Sequence, residues 1–528
     1  MKPRIISLIT AIILISLIFA SCGSESSVVL RFAVSNRAIT FDPQIAESGT
    51  AKIIVRNTFE GLMRPDQNGE LKPAAAENYT VSADGLTYTF NIRKGVKWYI
   101  TDNAREQLES KLPENFAPEV TADDFVFALQ RAVDPATGAA DSTILSSVQN
   151  AEEIINGEKQ PEELGVAALD TYTLEIRLKA ADDNFLSVLA EPITMPCNRT
   201  FFEACGGRYG LLIAYNMSNG PFYLSYFDES TYRLRKCSGY TGVNTAKADT
   251  LWFYVNTDEA SIIKKLDNED YNGAFLSQAS IDGMSFGKTD GVITVNDTNR
   301  VFFINTANEN LSNKNLRLAF LYGTDISYIC DNAGMTKVNS VVPECVGKTE
   351  VQNDLYNTDN VQSVLDKALE ELKSEDVTVT VLVDTANGET LKKQLQQWQK
   401  IFGIKLNIKL EQVEKTELLS RVKSGDYEIA FYPLQTDYND GRTVFDDILS
   451  ITGLQNDTLN GVISQFKQAS DEEKTELIKQ ADEILINEAA AIPVWSESSN
   501  FVCMNSLDGV YVGAGKDRIY FENAYTEE

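Results

Sequence analysis

Polar and apolar positions alternate early in the chain, in the manner of half-buried strands. Val28 to Val34, Tyr79 to Val81 and Leu86 to Ile92 carry this period, and Asp84-Gly85 between the last two is a hairpin turn signal. From Thr121 the period changes. Phe125, Leu129, Ala132 and Val133 recur at helical spacing. Thr121 is placed to cap that helix, Asp124 lies near the positive end of its dipole, and Asp134-Pro135 ends it. The second half alternates strand and helix. Val377 to Val383 is β-branched, Thr390 to Phe402 carries Leu391, Leu395, Trp398 and Phe402 on one stripe, Gly403 is a C-cap, and Ile404 to Leu410 is a further strand. Strand, helix, strand at this spacing predicts a right-handed βαβ unit and a parallel sheet. Leu418 to Val422, Tyr427 to Tyr432 and the amphipathic stretch Glu472 to Ile486 extend the α/β pattern.

The first segment breaks both periods. Lys2 and Arg4 precede a wholly apolar run from Ile5 to Ala20, which is shorter than the ~20 residues that a membrane-spanning helix needs. Small residues follow, so 1–21 reads as a secretory signal. Phe19-Ala20-Ser21-Cys22-Gly23 resembles a bacterial lipobox, with Phe19 where Leu is usual. The resemblance implies cleavage before Cys22 and lipid on that residue, with 22–27 as a small polar tether. Simple secretion and an uncleaved anchor are the alternatives.

Composition narrows the function. The chain has 528 residues, and 47 Lys plus Arg against 76 Asp plus Glu give a net charge of −29. So acidic a surface repels phosphates, which argues against nucleic acid as a partner. The 43% hydrophobic and 23% charged content is that of a globular protein. Histidine is absent from the sequence, which removes the commonest general base and the commonest metal ligand. Gly283-Met284-Ser285-Phe286-Gly287 matches a nucleophile-elbow pattern but lacks the histidine that such a serine needs. The acidic pairs Asp123-Asp124, Asp182-Asp183 and Asp446-Asp447 read as solvated or helix-start residues. No metal or cofactor motif is present. Capture of a solute is favoured over catalysis, with a secreted acid–base hydrolase as the remote alternative. Besides Cys22 there are Cys197, Cys205, Cys237, Cys330, Cys345 and Cys503, which an exported chain could hold as disulfides or as buried thiols.

Several stretches resemble one family. They are Phe41-Asp42-Pro43, Phe59-Glu60-Gly61-Leu62, the run from Leu86 to Trp98, the signature Thr121 to Pro135, Leu164 to Ile176, Asn219-Gly220-Pro221-Phe222 and Ala491-Ile492-Pro493-Val494-Trp495. Together they resemble the extracytoplasmic solute-binding proteins of family 5, the oligopeptide-binding lipoproteins of peptide ABC transporters. The resemblance implies a two-lobed α/β fold of the type II periplasmic-binding-protein kind with an inserted extra domain. Domain I would be 28–66, 193–300 and 491–528, domain II 67–192, and domain III 301–490. It implies a monomer that closes about a hinge on an oligopeptide and delivers it to permease subunits, bound to the membrane through its N-terminal lipid alone.

Site residues follow only where the family pattern matches. Asp437-Tyr438-Asn439-Asp440 resembles the segment whose aspartate receives the peptide's α-ammonium group. Glu47 matches a glutamate near the ligand's edge, Gly49 a backbone partner, and Trp495 a position where an aromatic lines the cleft or packs in the core. Pro433-Leu434-Gln435-Thr436, Phe431 and Glu414 depart from the peptide binders' pattern, which leaves another solute such as an oligosaccharide open.

Overall fold

The computed structural model describes residues 27–139, 142–182, 185–284, 291–347, 349, 355–436, 441–466 and 469–526. The elements that matter here are, in chain order, β1 (Val29–Val34), α1 (Gly49–Thr58), β2 (Ala76–Val81), β3 (Thr87–Ile92), α2 (Ala122–Val133), β4 (Val166–Asp170), β5 (Thr173–Arg177). They continue with β6 (Phe222–Phe227), β7 (Thr231–Lys236), β8 (Thr250–Val255), α3 (Glu259–Asp267), β9 (Gly273–Leu276) and β10 (Gly291–Ile304). The last are β11 (Val377–Asp384), α4 (Gly388–Phe402), β12 (Leu406–Val413), β13 (Ile429–Gln435), α5 (Asp471–Asn487) and β14 (Ala491–Cys503).

An 11-stranded sheet runs β6-β7-β8-β1-β9-β14-β10-β13-β11-β12, with the short Thr336–Lys337 strand on β14. β1 is parallel to β8 and β9, and β11 is parallel to β12 and β13. The long β10 and β14 are antiparallel to each other at the centre. A separate 4-stranded sheet, β2-β3-β5-β4, is wholly antiparallel and lies inside 67–192.

Two large apolar clusters carry the fold. The first gathers Phe32, Ile54, Phe59, Phe90, Phe125 and Phe253, and the second gathers Phe302, Val379, Leu391, Trp398, Phe431 and Trp495. The βαβ unit read from the sequence is present, with β11 and β12 in register from Val377↔Leu406 to Asp384↔Val413. Its second strand starts later than the pattern predicts. Gly403 closes α4 at φ 63°, the chain turns, and Ile404 is left 88% exposed. An apolar residue just after a C-cap belongs to the turn, and the strand begins only where pairing does.

None of the six cysteines after Cys22 forms a disulfide, and Cys345 alone among them is not fully buried. Burial pushes the Cys197 thiol up to about 12, so it packs as a small neutral side chain beside Arg131. Asp124 caps α2 from a buried position, accepting from the Thr121 N–H at 2.9 Å and from the Trp98 indole at 3.1 Å. Asp123 and Asp124 thus lie in the first turn of α2, the helix-start role expected of them.

One buried acid gives the fold a pH dependence. Asp482 on α5 is fully buried, accepts from the Ser340 hydroxyl and takes the Val341 N–H at 3.2 Å. Burial raises its carboxyl from 3.8 to about 7, against the opposing hydrogen bonds. A folded pKa above the unfolded one favours the fold fully below about pH 4, and that contribution is lost as pH rises through 7. Asp482→Asn is expected to remove this slope. Relative to wild type, the variant gains about 4 kcal/mol between pH 4 and pH 8 in urea unfolding. A difference independent of pH would show that Asp482 does not titrate in this window.

Candidate functional site

The two clusters meet at β10 and β14. Ile293 and Val295 of β10 pack on the first cluster and Val301 to Ile304 belong to the second. On β14 the order reverses: Val494 and Trp495 belong to the second cluster, Phe501 and Cys503 to the first. The expected domain limits at 300/301 and 490/491 thus fall near or at the ends of apolar stretches but within or against continuous strands. A strand is not obliged to end where a lobe does.

Between their apolar halves both strands turn polar: Thr298 and Asn299 face Glu497 and Ser496, Arg300 faces Trp495, and Ser499 and Asn500 face Val295 and Thr294. Pairing is interrupted between Val295 and Thr298, where Ser498 alone stands across from Asn296 and Asp297. Such a bulge bends a strand and re-aims its side chains. Here it ties both lobes to one point. Asn296 donates to Glu344 at 2.6 Å and accepts from Ser498 at 2.6 Å. The buried Asp297 carboxylate accepts from Ser499 and from the Gly515 N–H, each at 2.7 Å. Its backbone carbonyl accepts the Thr436 N–H at 3.2 Å.

One step further, the buried Arg300 donates from Nη1 to Asp384 and from Nε to Glu497, each at 2.6 Å. Burial by itself would raise the Asp384 carboxyl, but the Arg300 charge and the hydrogen bonds from Arg300 and Asn387 bring it below the usual range. The Glu497 side chain keeps 35% of its surface exposed. These polar runs inside β-branched strands are visible in the sequence, and they were the signal for a crossing point that strand reading alone passes over.

The candidate residues sit as follows. Gly49 opens α1, whose cap is the Ser48 hydroxyl accepting from Ala51 N–H at 3.2 Å. A Cβ on Gly49 would lie 3.7 Å from the Asp517 Cβ, an ordinary contact, so sterics do not demand glycine there. Glu47 is exposed just ahead of this helix. Asp517 follows Gly515 closely in the loop held by Asp297, so the Gly49 end of α1 borders the crossing. Asp437, Tyr438 and Asn439 lie outside the described residues. Thr436 before them is the residue bonded to Asp297. Trp495 is in the core, 2% exposed, with its ring 4.8 Å from that of Phe431 and its indole N–H donating to Glu497 at 3.2 Å. It does not line a cleft. It props the carboxylate that Arg300 also holds. Ser285 also lies outside the described residues, and Gly283 follows a short helix, Gln278–Asp282, rather than a strand.

The family-like stretches turn out to bind one another. Asp42 pairs with Arg131 of α2 at 2.6 Å. Asn219 accepts from the Glu60 N–H at 3.0 Å and donates to the Glu60 carbonyl at 2.8 Å. Trp98 meets Asp124. They are scaffold clamps. Behind α1 lies a further charge network that the sequence did not signal. Arg56, 1% exposed, donates to Glu191 at 2.7 Å, and Arg518 bonds the other Glu191 oxygen. Burial would raise Glu191, but Arg518 and Arg56 together hold it below the carboxylate range. Arg64 forks onto Glu522 at 3.2 and 2.7 Å.

Known proteins share this fold. The family model of bacterial extracellular solute-binding proteins, family 5 Middle, matches residues 70–456. The oligopeptide-binding protein OppA of Bacillus subtilis is 25% identical over 564 aligned positions, covering 98% of this chain and 99% of that one. The dipeptide-binding protein DppE of the same organism is 26% identical over 482 positions, covering 87% and 85%. Listeria monocytogenes OppA bound to peptide superposes with a TM-score of 0.69 at 23% identity, over 95% of this chain and 100% of that one. The fold is the two-lobed type II periplasmic-binding-protein fold. With most of its length matched and its lobes joined through two crossing strands, the chain belongs to family 5 of the bacterial extracellular solute-binding proteins.

Proposed function

We propose that this protein captures oligopeptides between its lobes, closes on them about the β10–β14 crossing, and delivers them to the permease of an ABC importer. It is not an enzyme in this reading: it has no histidine base, and the buried carboxylates of Asp42, Asp124 and Asp384 are committed to ion pairs and a helix cap. The observation that carries the proposal is full-length kinship with an oligopeptide-binding and a dipeptide-binding protein, on a fold whose lobes meet at a bulged, polar crossing. The lobes divide at 296–298 and 497–499, domain II is the part around the antiparallel 4-stranded sheet, and the ligand lies against Gly49, Glu47 and the segment after Thr436.

Closure makes a direct test. A ligand that contacts both lobes has higher affinity for the closed state and shifts the population toward it. Saturating peptide is expected to lower the radius of gyration in solution scattering and to raise the melting temperature. Native mass spectrometry of the same samples identifies the bound species. Unchanged scattering at saturation would reject hinge closure, and a retained sugar in place of peptide would reassign the solute.

The anchor is proposed at Cys22, which lies outside the described residues. No helix among the described residues is long and apolar enough to cross a membrane. Cys22→Ala is expected to move the protein from the membrane fraction to the soluble extracytoplasmic fraction. A variant as detergent-dependent as wild type would exclude the lipid.

A further inference from the structure

The four strands at one end of the large sheet, β6, β7, β8 and β1, contain no aspartate or glutamate. In a chain of net charge −29 that is a marked local exception. Their inner residues, Leu30, Phe32, Phe222, Leu224, Tyr232, Leu234, Leu251 and Phe253, are buried in the first cluster. Toward β9 the outer face is covered by α3, where Ala33 is buried with Ile262, Leu266 and Tyr271, and it is open to solvent around Arg31, Tyr226 and Arg235. Register sets Arg31, Trp252, Arg233 and Tyr226 side by side across it, one from each strand, with Val29, Thr250 and Arg235 in the next row. Arg31, Arg235 and Tyr226 are exposed, and Trp252, Tyr254 and Arg233 are half-buried. The Arg233 guanidinium lies 5.2 Å from the Trp252 ring and 5.7 Å from the Tyr226 ring. Trp252 stacks on Tyr254 at 6.1 Å, and Tyr254 on Tyr271 at 5.6 Å. A hollow of about 450 Å³ opens beside Arg31 and Tyr254, and its rim holds Lys265, Glu269 and Asp270.

We propose that this face rests on the anionic surface of the membrane. The inference takes the lipid on Cys22 from the proposed function. Two features of the molecule choose the occupant. The first is reach. From Cys22 to Val29 the chain extends at most ~25 Å, so the start of β1, where Val29 shares a row with Thr250 and Arg235, is held within that distance of the bilayer. The second is chemistry. Tryptophan and tyrosine rings favour the headgroup level, and arginines are drawn to anionic lipid, whereas the rest of this acidic molecule is repelled by it. The face is an orienting surface: a short tether and one attractive side limit the poses of the protein above its membrane.

Trp252 reports this contact. Of the 4 tryptophans, Trp98, Trp398 and Trp495 are buried at 3%, 0% and 2% exposure. Lipidated full-length protein in phosphatidylglycerol vesicles with brominated acyl chains is expected to lose the Trp252 part of its emission, with little loss in brominated phosphatidylcholine. Trp252→Phe removes the quenching. Replacing Arg31, Arg233 and Arg235 together by Gln abolishes it while the protein still floats with the vesicles. Wild type that floats without quenching, or quenches equally in both lipids, overturns the docking face and leaves the anchor intact. Failure to float overturns the anchor instead. Docking is then read from the Cys22→Ala chain, whose sedimentation with phosphatidylglycerol vesicles falls about fivefold for each arginine replaced. No sedimentation of that chain overturns docking. Protection of Trp252 by a soluble anionic polysaccharide, and not by vesicles, overturns it as well.

Discussion

N-Acetylation of a peptide is expected to weaken its binding to this protein by a hundredfold or more. The proposed partner of the ligand's α-ammonium group is Asp437, in the segment that follows Thr436 at the strand crossing. A cation enclosed between two lobes needs an opposite charge and hydrogen bonds, and removing one partner of a buried pair costs on the order of 3–5 kcal/mol. Asp437→Asn should therefore weaken free peptides strongly and acetylated ones little, because the acetylated ligand has no charge to leave unpaired. A turn defect would weaken both equally. Isothermal calorimetry on the four combinations decides the matter. Equal affinity of wild type for free and acetylated peptide would end the ammonium assignment and move weight to a neutral solute.

The second large effect is on stability. Glu191 is clamped between Arg56 and Arg518, and the Arg56 guanidinium is almost wholly enclosed. Glu191→Ala leaves two guanidinium groups facing one another with their shared anion gone. The expected loss is about 3–5 kcal/mol, read from the first transition in urea. Because the pair is buried, the loss should persist at high salt, unlike that of an exposed ion pair. Glu203→Ala, an exposed change on the helix Arg199–Cys205, is the control. Were Glu191→Ala no worse than this control, the network would be decoration. Arg56 lies on α1, whose first residue is Gly49, so a partial loosening should also raise the peptide dissociation rate.

The sequence was informative wherever a local rule governs the outcome. The α2 cap at Thr121, the βαβ unit at β11–α4–β12 and the hairpin at Asp84-Gly85 each depend on a few adjacent residues, and each is present. The family-like stretches were equally legible, and for a physical reason: Asp42 with Arg131, and Asn219 with Glu60, are buried polar clamps that tolerate few replacements. Long-range pairings were not legible. Nothing local in Glu191 foretells Arg56 and Arg518, nor in Asp297 the Gly515 N–H. Trp495 shows the limit most sharply. An aromatic in an apolar strand suits a cleft wall or a core equally, and only the Phe431 ring against it places it in the core.

The position of β14 in the sheet has a consequence for the order in which the molecule is made. This strand comes almost last in the chain, yet it lies between β9 and β10 and contributes to both apolar clusters. Until residues 491–503 emerge, β9 and β10 each have an unpaired edge and neither lobe has its full core. Contacts this distant in sequence form slowly. A nascent chain is therefore held short of its native state until synthesis is nearly complete, with exposed strand edges that invite misassembly if it lingers. Ending the chain before residue 491 would deprive both lobes at once, where removal of a peripheral strand such as β12 would trim only one.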